Sequence, residues 1–417
     1  MNAKKFLVAS LIAVAAAATS LASDQGKPAK PFVVHEWGTF LSVQGSDGMN
    51  LGGMVDSDEV LPTIVDSFGP ASYQRASMFI KMETPVTYFY SDIPRTVQVR
   101  IDMPKGLITH WYPIVRNYGP NPSQPRTTPE KGFIEWRNVQ LLPQENTDRL
   151  VAPVGDNQSW RFARETDAAL LKVTGFVSKD GKKNFEKRDQ YEKFLFYRGL
   201  GGFNMPLSVR AEKAQEGNSL HLKNSSAQPL TGIIAVHIEN QTIRFGSVNN
   251  LPANGSGELA ASKFLGKSIP LAEGVPLVKQ AVARTLVEAG LYEKEAQAMV
   301  NTWEHSYFRT EGLRLLYILP RPEVDAIIPI RIQPTPEQLV RVMVGRVEVL
   351  TPERERQIES FISQLGATDF RTRQAASDGL ARLGRIGEPA LRRVAKTTQD
   401  AEVRARASQL IRKFDSN

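Results

Sequence analysis

Between about residue 32 and residue 260, apolar side chains recur at alternate positions, the rhythm of half-buried strands. The clearest instance is Thr96-Val97-Gln98-Val99-Arg100-Ile101-Asp102, where Val97, Val99 and Ile101 fall on one side and polar residues on the other. Residues 86–90, 107–112 and 133–141 are rich in β-branched and aromatic residues and are bounded by Pro or Gly, which predicts further strands of a sandwich or barrel. The proline-rich stretch 120–129 predicts a loop between two of them. A second β segment runs over 170–259, with strands expected at 194–197, 207–210, 230–239 and 242–245; Ile234, Val236 and Ile238 share one face.

The rhythm changes after Gly274. Val278, Val282, Leu286 and Ala289 follow Pro276 at helical spacing, with Pro276 in a first-turn position and Gly290 as the stop. Ala296, Met299, Val300, Trp303 and Tyr307 define a second amphipathic helix. Residues 313–319, 327–332 and 342–350 then predict strands of a small α+β unit. In the last segment Asp369, Arg373, Ala376 and Ser377 recur as Asp400, Arg404, Ala407 and Ser408, an offset of 31 residues and the length of one helical hairpin. Asp369 and Asp400 are placed as N-caps, and a helix over 352–365 should cap the array and dock it on the α+β unit.

These patterns predict a multi-domain, mainly β chain: a β-rich domain at 32–169, a β-sandwich at 170–262, an α+β unit at 270–350 and a helical tail at 351–417. Ahead of them, residues 1–22 have the layout of a secretory signal peptide: Lys4 and Lys5, the apolar run 6–18, then Ser20-Leu21-Ala22 as a cleavage site. That run of thirteen residues is short of the ~20 needed to span a bilayer. Residues 23–31 predict a flexible lead. The expected address is therefore outside the cytoplasm (periplasm, cell surface or medium), with no membrane span after signal cleavage. Cysteine is absent, so neither disulfides nor thiolate chemistry contribute. The formal net charge is +8, or +6 without Lys4 and Lys5, and the tail's charges alternate in sign as on a solvated helix face. No nucleic-acid partner is expected.

The phrase His35-Glu36-Trp37-Gly38-Thr39-Phe40 resembles the opening of a family of exported bacterial proteins with no assigned activity. Met82-Glu83-Thr84-Pro85, Phe196-Tyr197-Arg198-Gly199 and Leu339-Val340-Arg341-Val342 are similar to further phrases of that family. The resemblance implies an architecture and no mechanism. Residues 221–230 with Asn254-Gly255 resemble bacterial immunoglobulin-like modules, and the Asp–Arg–Ala phrases before Gly384, Gly387 and Pro389 resemble HEAT repeats.

Among residues that carry chemistry, His35, Glu36 and Glu83 are the catalytic candidates if the chain is an enzyme, with Glu135 as a further carboxylate and His110 as a cleft neighbour. His35 and Glu36 point to opposite faces of a strand, which argues against one acid–base pair. His-Glu-x-x-His is not completed, since position 39 is Thr. Asp47, Asp56, Asp58, Glu59 and Asp66 crowd a glycine-rich stretch without the spacing of a calcium loop. No cofactor or metal is expected. Gly266-Lys267-Ser268 lacks the leading Gly of a nucleotide loop, and no Gly-x-Ser-x-Gly elbow is present. Tyr88 and Tyr90 offer aromatic faces on which a sugar ring can stack. The expected function is an exported binding or scaffold protein of the cell envelope, holding a glycan on the first β domain or another envelope protein through the tail. The alternative is a carboxylate-dependent hydrolase of an envelope polymer.

Overall fold

The computed structural model describes residues 31–416 apart from 53–60, 68–79, 116, 121–129, 144, 146–148, 156–158, 179–184, 215–216 and 261–266. The expected signal peptide, nearly all of the polar lead and of the proline-rich loop, and Asp56, Asp58 and Glu59 lie outside the described residues.

Among the described residues, ten strands form one sheet through the body of the molecule. At its centre, Val33–Gln44 pairs in parallel with Gln338–Val349, from Val33 opposite Gln338 to Gln44 opposite Val349. Its other neighbour is the antiparallel strand Ile80–Tyr90. The sheet continues through Gly312–Ile318, Leu230–Glu239 and Thr242–Leu251 on one side and through Leu195–Gly201 and Gly106–Tyr112 on the other. All twelve residues of Val33–Gln44 are buried, because both faces of the sheet are covered, as parallel pairing requires.

One face carries Val34, Phe40, Met82, Phe89, Ile233, Ala235 and Met343. It packs on a second β layer made of a six-stranded sheet, which contributes Val97, Val99, Ile101, Ile134 and Trp136, and a three-stranded sheet, Leu207–Ala214, Gly217–Asn224 and Ser256–Ala260. The alternation read in 96–102 is real there: Val97, Val99 and Ile101 are buried and the residues between them are not. The opposite face carries Trp37, Val86, Tyr88, Ile234, Val236, Ile238, Val342 and Val344. Leu271–Glu288 covers it through Val278, Val282 and Leu286, Glu293–Thr302 through Met299 and Val300, and Glu304–Phe308 through Tyr307. The molecule is thus mainly β, with helices on one side of a large sheet, smaller sheets on the other, and a helical region at residues 352–416.

Three expectations need correction. The boundaries at 169/170 and 262/270 run through a continuous sheet, whose strands come from all three expected domains. The strands of 170–262 are shared among three sheets and do not build a sandwich of their own. Contacts between residues 300 positions apart decide this, and local alternation carries no record of which strand lies alongside which. The helix marked by Pro276 begins at Leu271, so the proline sits inside it and not in its first turn; it ends as expected at Gly290, whose φ of +111° suits glycine.

The tail forms Pro352–Gln364, Phe370–Leu383, Glu388–Thr397 and Ala401–Ser416 around Ile358, Leu365, Ala376, Leu380, Leu391 and Ala407. Asp369 accepts the Thr372 amide at 2.8 Å and Asp400 accepts those of Glu402 and Val403, the capping expected of both. Leu350, the last residue of the expected α+β unit, is buried in the tail core, and the turn after the opening strand adds a second contact: Glu355 accepts both the amide and the hydroxyl of Ser46, at 2.7 and 2.6 Å, and Leu51 packs on the tail core.

Candidate functional site

Three buried titratable side chains from the candidate list lie in three separate environments. His35 and Glu36 do face opposite sides of their strand. His35 Nδ1 lies 2.7 Å from Glu295 Oε2. A carboxylate only accepts, so this nitrogen carries the proton. Glu295 also accepts the Tyr90 hydroxyl at 2.9 Å and the Tyr292 amide at 2.8 Å, the latter bond fixing the first turn of Glu293–Thr302. Burial, then the Glu295 carboxylate, pushes the Tyr90 phenol well above its ordinary range.

On the other face, Glu36 Oε2 accepts from Arg341 Nε at 2.6 Å and Oε1 from the Tyr197 hydroxyl at 2.6 Å. Arg341 spends its remaining nitrogens on Asp325 Oδ1 and the Ile328 carbonyl, each at 2.7 Å. Burial alone would weaken the guanidinium's hold on its proton, but Glu36, Tyr197 and the bond to Asp325 together outweigh it and raise the arginine further. The pair is saturated on both sides.

Glu83 lies opposite Thr39, four residues along the strand from His35, which is ~13 Å at ~3.3 Å per residue. Its Oε2 accepts the Tyr307 hydroxyl at 2.9 Å, and Lys81 Nζ stands 3.5 Å from Oε1. Burial pushes the Glu83 carboxyl up, but Lys81, Arg346, Arg198 and the tyrosine bond together outweigh it and leave it below the ordinary carboxylate range. Arg346 in turn lies 4.0 Å over the Tyr307 ring and bonds Glu348 at 2.7 Å. Glu135 belongs to the six-stranded sheet, held by Arg137 at 2.8 Å and by Gln98 and Asn117. His110 contacts the Thr109 hydroxyl on Gly106–Tyr112. No two of these carboxylates share an open cleft. Among the described residues no three His, Asp or Glu side chains converge as metal ligands.

Of the two stacking candidates, Tyr88 is core: fully buried, with its hydroxyl on the Ala163 carbonyl at 2.7 Å. Tyr90 closes its strand at the lip of a groove of about 810 Å³. Val33 and Tyr90 form one part of the lining, Tyr292, Glu293 and Lys294 another, and Asp167 with Ala169 a third. The Ala169 amide bonds the Phe89 carbonyl at 2.8 Å, which ties that last part to the sheet. Tyr292, 45 % exposed, meets Tyr90 edge to face at 84° with ring centroids 4.9 Å apart, and lies 4.3 Å from the His35 ring. The groove thus rests on the His35–Glu295–Tyr90 cluster. Tyr292 and Glu295 were missed by sequence reasoning; the readable signal was a Glu three residues into a helix that restarts after Gly290.

No protein-family model matches the chain, and no curated protein matches it. Among solved structures it is similar to the Fcho1 mu homology domain of Danio rerio with a bound Eps15 peptide: 9% identity over 78% of this chain and 95% of that one, TM-score 0.25. It is likewise similar to the yeast delta-COP-I mu-homology domain, at 8% identity over 78% of this chain and 100% of that one, TM-score 0.27. Likenesses this slight carry no argument about what the chain does.

Proposed function

We propose that this chain is an exported binding protein of the cell envelope, and that its ligand is a glycan held in the groove between Tyr90 and Tyr292. The observation that carries the reading is the aromatic corner itself: two tyrosine rings at right angles on the wall of a groove of about 810 Å³, one of them 45 % exposed. A sugar offers an apolar ring face for such a surface and hydroxyls for the carboxylates of Asp92, Asp167 and Glu293 around it. The burial and fixed partners of Glu36, Glu83 and Glu135 favour this over the hydrolase, which needs two carboxyls reaching one bond at roughly 5–10 Å. The tail, read as a HEAT-like array, offers a surface for a partner protein, with Phe370 59 % exposed at the start of its second helix.

The test is calorimetric titration of the full chain with soluble oligosaccharides of envelope type, N-acetylglucosamine oligomers first. Tyr292→Ala should weaken binding at least about tenfold, a loss of ~1.4 kcal/mol, while the melting transition stays put. Absence of binding to every oligomer tried, or an unchanged affinity in Tyr292→Ala, would sink the reading.

A further inference from the structure

The two rings of the aromatic corner are fixed from beneath by one carboxylate. Glu295 is fully buried and forms no part of the groove's lining, so it does not reach a ligand there. Its two oxygens nevertheless hold both walls. Oε2 accepts the Tyr292 amide at 2.8 Å, and Oε1 accepts the Tyr90 hydroxyl at 2.9 Å, from a residue 205 positions away on the sheet. Capping the helix at Tyr292 needs only one accepting oxygen, which a glutamine supplies as well as a glutamate. The second bond adds nothing to helix initiation; it ties the helix to the strand that carries Tyr90. Burial, then the Glu295 carboxylate, holds the Tyr90 phenol well above its ordinary range, so the hydroxyl keeps its proton and remains a donor. The His35 ring packs behind both tyrosines, its centroid 4.3 Å from that of Tyr292 and 5.4 Å from that of Tyr90. Rings held in place beforehand bind more tightly than rings a ligand must still, because each side chain stilled on binding costs affinity.

We infer that Glu295 is a positioning residue: it sets Tyr90 and Tyr292 at right angles before a ligand arrives, and the groove's affinity depends on it although it makes no contact with the ligand. This rests on the glycan reading above and deepens it. Two substitutions break the tie from opposite ends. Glu295→Gln keeps the side chain's shape and one accepting oxygen for the Tyr292 amide, but puts an NH2 donor where the second accepting oxygen stood. Tyr90→Phe keeps the ring and leaves the helix cap untouched while removing the hydroxyl.

The experiment has a ligand-free arm and a binding arm, both on the full chain. Without ligand, the ring-proton resonances of isotopically labelled Tyr292, displaced by the neighbouring Tyr90 and His35 rings, should move towards those of an unstructured tyrosine in each variant, with circular dichroism showing the protein still folded. With N-acetylglucosamine oligomers, each variant should bind about twofold to tenfold more weakly, the effect of one side chain left to be ordered by the ligand. The double variant should lose no more than the larger single loss, because both substitutions break one bond, whereas a general loosening of the helix would add to it. Tyr90→Phe carries both arms alone if Glu295→Gln does not fold. Resonances that stay in place, affinities equal to the parent's, or single losses that add in the double variant each overturn the inference and leave the glycan reading standing. If no oligomer binds the parent, the glycan reading falls, and the positioning role of Glu295 stands or falls on the resonances.

Discussion

Glu83 is buried beside cations in the native state and exposed in the unfolded chain, and the difference appears as pH dependence. Its folded carboxyl is held below the ordinary value of 4.5, so at acid pH the unfolded chain binds the proton first. The stability due to Glu83 is complete above about 4.5 and is lost as pH falls through the lower folded value. Glu83→Gln should therefore unfold at lower urea than the parent at neutral pH, with the difference shrinking as the pH drops below about 4.5. A constant difference across that range would mean that the carboxylate's charge plays no part. Residue-level reading of the sequence went this far and no further: the alternation of His35 and Glu36 was legible, and so was the emptiness of the usual catalytic motifs. Their partners were not, because Glu295 lies 260 residues from His35 and Arg341 lies 305 from Glu36. A charged residue inside an apolar run, as Arg341 is, was the available sign of a buried pair.

Elements were read well where their cause is local. The strand at 96–102, the helix ended by Gly290 and the capped helices after Asp369 and Asp400 follow from side-chain period and capping chemistry, which neighbours in sequence supply. The assembly of strands was not legible, because the central strands are buried on both faces and their near-continuous apolar runs name no partner. Close packing between two of them gives a sharp test. Gly345, in Gln338–Val349, stands opposite Tyr317, and a Cβ there would lie 2.2 Å from the fully buried ring. Gly345→Ala should cost about 1–3 kcal/mol or more by overpacking, read as a lower denaturant midpoint. Adding Tyr317→Leu should recover part of the loss, a coupling between touching residues. Losses that simply add would show that the ring is not the obstacle.

At the scale of the whole molecule, the four phrases that set the sequence apart are not four sites. His35 to Phe40, Met82 to Pro85, Phe196 to Gly199 and Leu339 to Val342 lie on four successive strands of the central sheet and touch one another through Glu36, Tyr197 and Arg341. A Cβ on Gly38 would meet Pro85 at 2.8 Å. The tail contributes nothing to that sheet. Removing residues 352–417 should leave near-ultraviolet circular dichroism from the body's buried tryptophans intact, whereas removing 338–417 should abolish it. A body that survives the second truncation would contradict the sheet order.

The parallel pairing of Val33–Gln44 with Gln338–Val349 also sets a schedule. A ribosome finishes one of these strands about three hundred residues before it starts the other, and until then a twelve-residue, water-shy ribbon has one flank without its mate. Such a chain profits from being kept unfolded until it is whole. The same pairing that locks the finished molecule makes its early lengths prone to clump, so expression at low temperature or with a holding chaperone should raise the soluble yield.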